Sequence, residues 1–350
     1  MSFSRVTQLL LLAALPIIAT IIGLSTFSEQ GRLALDFHHE LYPQAERVLD
    51  GRDVYSPPDA DLSDGTNFVW PMAAVLPAVP LTLLEPAAAE WVATALVLAT
   101  LAGALWVLGI RDWRIYGVSL LWPPVIDAYQ TANLTLPLAL LLALAWRYRD
   151  RKLLAGLALG ASLALKFFLW PVLLWLVAVG RARAALAAAV LALASLLLLL
   201  PFTSITDYFH LVRNLAETFD GYSYTLFALL TDVGTPELAA RAATFALGAV
   251  VLGFAWRGRS LGLAVGAALI LSPIVWRHFF ALLLVPLALA RPRFDAAWLI
   301  PLGFWFVPGT ANGDPWQTGL GLALFAVTIG TTELTSRGPR ALDIPFRTPA

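Results

Sequence analysis

Long apolar segments follow one another through most of this 350-residue chain, with only short polar gaps between them. Such segments would aggregate in water, and about 20 consecutive apolar residues are enough to cross a bilayer as a helix. Hydrophobic residues make up 59% of the chain and charged residues only 13%, a composition typical of integral membrane proteins. The sequence therefore predicts an all-α polytopic membrane protein, and no gap is long enough to form a second core, so we expect a single domain over residues 1–350.

The apolar pattern predicts about 11–13 transmembrane helices. Several predicted spans are shorter than the ~20 residues that cross a bilayer, and short paired helices usually meet at a water-filled cavity. The first span, which follows Arg5, has no clear small-residue cleavage site and is expected to be a retained helix. The predicted spans are 8–26, 68–84, 87–110, 115–127, 133–146, 153–166, 167–179, 184–203, 237–256, 260–275, 278–290, 295–308 and 316–332.

Basic residues recur at nearly every second gap, which the positive-inside rule assigns to the cytoplasm. The uncharged or aromatic gaps between them, with the acidic segment after the first span, should share the outer face. This assignment needs an odd number of crossings over residues 68–110, although that stretch resembles two spans. Prolines at positions 71, 77 and 80 interrupt its first part and Pro86 follows directly, so we expect this part to be kinked or re-entrant. The basic gaps contain Arg111, Arg114, Arg147, Arg149, Arg151, Lys152, Arg181, Arg183, Arg257, Arg259, Arg291 and Arg293.

The one long polar segment, residues 27–67, carries nine acidic residues against three arginines and is predicted to be an extracytoplasmic loop with short amphipathic helices. Asp36 lies there among apolar and aromatic residues (LALDFHHELY), where partial desolvation would raise its pKa and suit it to act as a general base. Two alternatives stay open: Asp36 is one of several solvating acids, or it caps a helix over Phe37–Leu49. His38 and His39 are adjacent and would diverge on a helix, so we interpret them as interface residues.

Lys166, one of only two lysines in the chain, lies between two apolar half-spans in ALALKFFLWP. A buried ammonium group is costly unless it is paired, so the position favours binding of a lipid phosphate. The alternative is that its long stem reaches the lipid headgroups. Arg277 and His278, in SPIVWRHFF, lie at a predicted corner on the same face, so three cations from separate helices would converge on one anion if His278 is protonated. For Arg277 alone, ordinary headgroup binding is the competing interpretation.

Gln130 and Asn133, in YQTAN, carry amides that can hydrogen-bond to sugar hydroxyls, although amides at helix ends are often caps. No acidic pair has an obvious metal-ligand spacing, so we expect no metal and no cofactor. Cysteine is absent, which excludes disulfides, thiolate metal sites and thiol nucleophiles.

Several short motifs, taken in order, resemble the polyprenyl-phosphate-mannose-dependent mannosyltransferases of glycosyltransferase family 87, within the GT-C class. The opening is similar through Asp36, Tyr42, Ala45, the GRDVY at 51–55 and the FVWP at 68–71. Downstream, QTAN resembles GQxN, AGLALGASLALKFFLWP at 155–171 resembles AGxxxGxxxxxKxxP, and SPIVWRHF at 272–279 resembles SPxxWxHH. This chain departs from the family pattern at three places: the YPP motif, the glycine before the glutamine and the second histidine. These departures affect the expected substrate more than the reaction.

The resemblance implies a GT-C-like bundle and an enzyme that moves a sugar, mannose in that family, from a polyprenyl phosphate to a hydroxyl of a lipid-linked or cell-envelope glycan. It implies Asp36 as the base, with Lys166, His278 and Arg277 at the donor phosphate. Sugar or acceptor contacts would come from Gln130, Asn133, Trp276 and Tyr42. The expected location is the plasma (inner) membrane with the site on its outer face, and the expected partners are membrane lipids, the lipid-linked donor and a glycan acceptor, with no nucleic acid.

Two other classes of protein remain open from the sequence. A secondary transporter would also have about a dozen spans, broken helices and isolated buried charges. It would usually show a repeat, and none is visible in the chain. A lipid-carrier flippase or scaffold without transferase chemistry is the third interpretation, and in that case the ionisable residues need not converge.

Overall fold

The computed structural model describes residues 4–63, 67–309 and 314–336, and every regular element in those ranges is helical. This confirms the predicted all-α class. Asp64 of the acidic segment and part of the predicted loop at 308–315 lie outside the described residues. The α-helices are Arg5–Leu9, Leu15–Glu29, Tyr42–Leu49, Pro86–Val107, Trp113–Leu120, Pro123–Gln130, Thr135–Arg147, Lys152–Leu165, Pro171–Ala178, Ala182–Ser195, Ile205–Phe219, Leu226–Asp232, Glu237–Gly258, Leu261–Leu271, Leu284–Ala290 and Pro315–Ser336. The 3₁₀ helices are Met72–Ala74, Val79–Leu83, Phe167–Leu169, Leu196–Leu199, Asp220–Tyr222, Arg277–Leu283 and Ala296–Phe306, and π-helical turns occupy Leu10–Ala14 and Phe37–Leu41.

Four helices in the described part of the chain are long and apolar enough to cross a bilayer: Arg5–Glu29, Pro86–Val107, Ala182–Leu199 and Glu237–Gly258. Pro123–Gln130 and Thr135–Arg147 form a fifth candidate span that is bent by 112°. Other apolar helices have only 10–17 residues and follow one another across short breaks. The chain is therefore built as a membrane protein, while the predicted 11–13 crossings and the single domain stay predictions.

The predicted span at 68–84 is wrong. This segment contains only the short 3₁₀ turns Met72–Ala74 and Val79–Leu83, because its three prolines lack the N–H group that a continuous helix needs. Between the acidic segment and Arg111, the one described helix of spanning length is therefore Pro86–Val107. A single crossing is the odd number that the distribution of basic residues requires.

Small residues fix the helix that leads to Lys166. A Cβ atom added at Gly156 would lie 2.7 Å from the Cβ of Ala187, and one added at Gly160 would lie 2.9 Å from the Cβ of Leu191. Glycines four residues apart face the same side of a helix and let two membrane helices approach closely. Lys152–Leu165 therefore packs tightly against the long helix at 182–199, which sets the position of Lys166 at its end.

We expect Gly156→Leu to lower the melting temperature of the purified protein in detergent. The larger side chain has no free volume, and overpacking of this kind costs about 1–3 kcal/mol. Gly253→Ala is the matched control, because no atom lies within 4 Å of a Cβ built there and alanine favours a helix. A Gly156→Leu protein that melts with the wild type would contradict the close packing.

Candidate functional site

Three helix breaks carry the polar residues that the sequence singled out. The first is the bend after Gln130, the second is Lys166, whose backbone is extended (φ −153°, ψ 118°), and the third follows Leu271 and precedes Arg277. Irregular backbone is tolerated at membrane depth only where it is buried in protein or lines a watery cavity. The breaks are therefore the natural positions for a polar site.

Backbone hydrogen bonds hold the acidic segment against the first of these breaks. The Ala34 amide donates to the carbonyl of Gln130 at 2.6 Å, and the amides of Asp36 and Phe37 donate to the carbonyl of Thr131 at 3.0 and 3.2 Å. Ala34 (φ 55°) and Ala132 (φ 49°) both adopt the left-handed conformation, which costs a non-glycine residue about 1–2 kcal/mol. Strain on both sides of one junction is typical of functional sites, where the surrounding structure enforces it.

The side chains of Thr131 and Asn133 lie beside the Asp36 carboxyl group and favour its ionised form. Asn133 is itself fixed, because its Oδ1 accepts from the Thr135 amide at 2.8 Å and its Nδ2 donates to the Thr131 hydroxyl at 2.8 Å. Asp36 makes no capping hydrogen bond to the helical turn that follows it, so the capping interpretation does not hold. Its carboxyl group is oriented by the helix bend instead.

Lys166 is the charged group shared by the rest of the site. Its ammonium group interacts electrostatically with Asp36, Glu40 and His278. The Nζ atom lies 4.3 Å from the ring centroid of Trp70 and 4.4 Å from that of Phe279, so two aromatic faces support the cation. Among the described residues Lys166 forms no salt bridge. Its neighbouring carboxyl groups therefore lie beyond ion-pair distance.

Asp36, Glu40, Lys166 and His278 each keep part of their surface accessible. Protein atoms nevertheless surround Asp36 densely, and this burial raises its pKa to about 6, against the opposing effects of Lys166 and of the Thr131 side chain. We interpret this combination of dense surroundings and partial access as a cleft that the four residues border. The Nε2 atom of His278 is buried there without a hydrogen-bond partner.

Arg277 has a different setting from the other predicted cations. Its Nε and one terminal nitrogen each lie 2.6 Å from a carboxylate oxygen of Asp127, and both side chains are 14% exposed. A further nitrogen donates to the carbonyl of Val307. Arg277 therefore ties the corner before His278 to the helix that ends at the Asp36 junction, and most of its donors are already used.

We expect removal of either partner of this pair to destabilise the fold. Arg277→Met leaves the Asp127 carboxylate enclosed and uncompensated, a change that costs about 3–5 kcal/mol in buried pairs. Asp127→Asn together with Arg277→Met should cost less than the sum of the two single changes, because only the first loss leaves an unpaired charge. Thermal unfolding of the three purified variants measures this coupling, and strictly additive losses would rule it out.

The other predicted contact residues lie around this centre. Gln130 is buried and joins it through its backbone carbonyl. Tyr42 donates its hydroxyl to the carbonyl of Leu84 at 3.1 Å, and the Trp276 ring packs edge-on against Phe219 with centroids 5.6 Å apart. The structure thus brings Asp36, Asn133, Lys166 and His278 together, while their roles and those of the outer residues stay predictions.

Sequence reasoning missed four residues of the site: Glu40, Thr131, Trp70 and Phe279. Two signals were available. Thr131 lies inside the QTAN motif, and Glu40 follows Asp36 by four residues, the spacing that returns to the same side of a helix. The two aromatic contacts to Lys166 join distant segments and have no local signal. In the described ranges no group of three His, Asp or Glu residues is placed to hold a metal ion, and metal independence stays a prediction.

Comparison with known proteins gives one finding. Searches of the curated proteins and of the solved structures found no match. The family model for glycosyltransferase family 87 matches residues 68–276, more than half of the chain. The matched range contains Asn133 and Lys166, whereas Asp36 and His278 lie on either side of it and are joined to it by the contacts described above. The chain therefore belongs to glycosyltransferase family 87.

Proposed function

We propose that this glycosyltransferase moves a sugar, mannose, from a polyprenyl phosphate to a hydroxyl of a lipid-linked or cell-envelope glycan, at the outer face of the inner membrane. Family membership supports the transferase class in preference to a transporter or a scaffold. One observation supports the donor: the Lys166 ammonium group has two carboxyl groups and an imidazole as electrostatic neighbours, with no carboxylate at ion-pair distance. A phosphate is the ligand chemistry that such a cation accepts.

Lys166 and His278 form the donor side of the proposed site. As the bond between the anomeric carbon and the phosphate oxygen breaks, negative charge grows on the phosphate. A positioned ammonium group and an imidazole N–H, if His278 carries hydrogen on Nε2, stabilise that charge. The Nε2 atom has no other partner in the structure. Polyprenyl phosphate is a good leaving group, so these contacts are sufficient and a metal is not required.

Asp36 forms the acceptor side. Its carboxylate takes the proton of the acceptor hydroxyl while the hydroxyl oxygen bonds to the anomeric carbon. One negative charge is thereby neutralised on Asp36 as one appears on the phosphate, and Lys166 interacts with both positions. If the acceptor attacks from the face opposite the phosphate, the anomeric configuration inverts, and a β-linked donor gives an α-linked product.

The raised pKa of Asp36 gives the reaction an acid limit. Because Asp36 must be ionised to accept a proton, kcat/KM should fall as the pH drops through about 6.

The stability of the fold should change in the opposite direction and increase as the pH drops. Between the unfolded pKa of 3.8 and the folded value of about 6, the folded state holds a proton that the unfolded state has released, so lowering the pH through this range stabilises the fold. Rate and melting-temperature profiles over pH 4–8 measure both effects. A rate that stays constant below pH 6 would contradict the assignment.

A donor comparison tests the proposed reaction. The purified protein, reconstituted with an acceptor glycolipid fraction, should transfer labelled mannose from polyprenyl phosphate and none from a nucleotide-activated mannose. Addition of a metal chelator should leave the rate unchanged. Transfer from the nucleotide sugar without any lipid-linked donor would overturn the proposal.

A further inference from the structure

Glu40 is a carboxyl group in the cleft that the reaction described above does not use. It lies in the π-helical turn Phe37–Leu41, four residues after Asp36, and its electrostatic neighbours are Asp36 and Lys166. Its Oε2 atom is buried without any hydrogen-bond partner. A buried polar oxygen with no partner costs roughly 1–3 kcal/mol. The buried Nε2 atom of His278, which also has no partner, belongs to a second neighbour of Lys166. Two such atoms around one ammonium group favour a ligand that supplies the missing bonds.

The charges around Lys166 decide the state of Glu40. Asp127 and Arg277 compensate each other as an ion pair, and an ionised Asp36 compensates Lys166. An ionised Glu40 would give the cleft a net negative charge and would repel a phosphate. A protonated Glu40 leaves the cleft neutral and offers an O–H donor.

The polar neighbours of the two carboxyl groups assign the proton to one of them. Asp36 lies beside the Thr131 and Asn133 side chains, which favour its ionised form. Glu40 has no donor at Oε2, and burial together with the nearby Asp36 carboxyl group raises its pKa well above the usual value, against the effect of Lys166. The pair therefore titrates with Asp36 ionised first.

We propose that Glu40 is a second catalytic carboxyl group, protonated in the working enzyme, which donates a hydrogen bond from its unpartnered oxygen to the donor phosphate bound at Lys166. This inference rests on the proposed function. During transfer the acceptor proton moves to Asp36, the acceptor oxygen bonds to the anomeric carbon, and the electron pair of the broken bond stays on the phosphate oxygen. Glu40 keeps its proton, and its hydrogen bond strengthens as the phosphate gains a second negative charge.

Substitution of Glu40 by an amide and by a methyl group separates the donor role from other roles. Glu40→Gln keeps a neutral hydrogen-bond donor and should transfer at close to the wild-type rate, without any loss at high pH that comes from ionisation of Glu40. Glu40→Ala removes the donor and should lose about 10²-fold in kcat, as for the loss of one donor to a developing oxyanion. Glu46→Gln and Glu46→Ala are matched controls, because Glu46 is exposed in the adjoining helix. Thermal-shift titration with a short-chain polyprenyl phosphate measures binding in all five proteins.

The outcomes are distinct. Equal loss in Glu40→Gln and Glu40→Ala would mean that an ionised carboxylate is needed and would overturn the proposal, and full activity in both would place Glu40 outside the reaction. If the wild type itself transfers nothing from the lipid-linked donor, the proposed function fails and binding decides the inference. Weaker binding by Glu40→Ala than by the wild type and Glu40→Gln would then support the phosphate contact, and equal binding by all three would overturn it.

Discussion

Asp36→Asn is expected to reduce sugar transfer by about 10²–10⁴-fold, the usual contribution of a positioned general base. The amide has nearly the shape of the carboxylate and still meets Thr131 and Asn133, so the binding of polyprenyl phosphate should be retained. The measurement is the initial rate of transfer from the lipid-linked donor, with the melting temperature recorded on the same preparation.

Asp59→Asn provides the control for this result, because Asp59 is an exposed acid of the same segment. It should leave the rate unchanged. Turnover of the Asp36→Asn protein at the wild-type level would remove Asp36 as the base, even if the donor and the acceptor are as proposed.

Lys166→Met is expected to have the second large effect, and it should act at both ends of the cleft. Loss of the ammonium group weakens the binding of the donor phosphate, which raises KM. It also leaves the negative charge that grows on the leaving phosphate uncompensated, which lowers kcat. It also removes the cation that lowers the pKa of Asp36, so the acid limit of the rate should move to higher pH. The pH dependence of kcat/KM separates this effect from a general loss of folding.

Lys152→Met is the matched control, since Lys152 is the only other lysine of the chain and is exposed. Lys166→Arg should retain part of the activity, because it keeps the positive charge. The rest should be lost, because a guanidinium group lacks the compact geometry of an ammonium group. A Lys166→Met enzyme with wild-type KM and an unchanged acid limit would place the ammonium group outside the site.

Ionisable residues inside apolar segments were the part of the site that could be predicted from the sequence. Asp36, Lys166 and His278 each interrupt an apolar stretch, and such an interruption is costly unless the group has a use. Their convergence needed the structure, because each lies at or beside a helix break whose angle depends on tertiary packing. The 112° bend beside Asn133, for example, lies between two short helices.

Partners that are distant in the chain explain most of what sequence reasoning did not find. The sequence offered Arg277 as a free cation, whereas its bidentate partner Asp127 lies 150 positions away. Tyr42 likewise hydrogen-bonds to a carbonyl 42 positions away. Glu40 was grouped with the solvating acids, because a run of charges hides which member turns inward.

Proline positions were a better guide than apolar composition to whether a segment forms a membrane-spanning helix. Residues 68–84 are apolar enough to suggest a span, yet their prolines leave only 3₁₀ turns. Trp70, in this same segment, supports the Lys166 ammonium group. The segment that failed as a membrane span therefore forms one wall of the cleft.

The most direct test of the central claim is an experimental structure of the protein with a polyprenyl phosphate bound. The phosphate should lie within hydrogen-bond distance of both Lys166 and His278, with Asp36 facing it across the space that a sugar would fill. A phosphate bound at the Arg277–Asp127 pair or at the basic gaps, with the Lys166 cleft empty, would contradict a shared catalytic site.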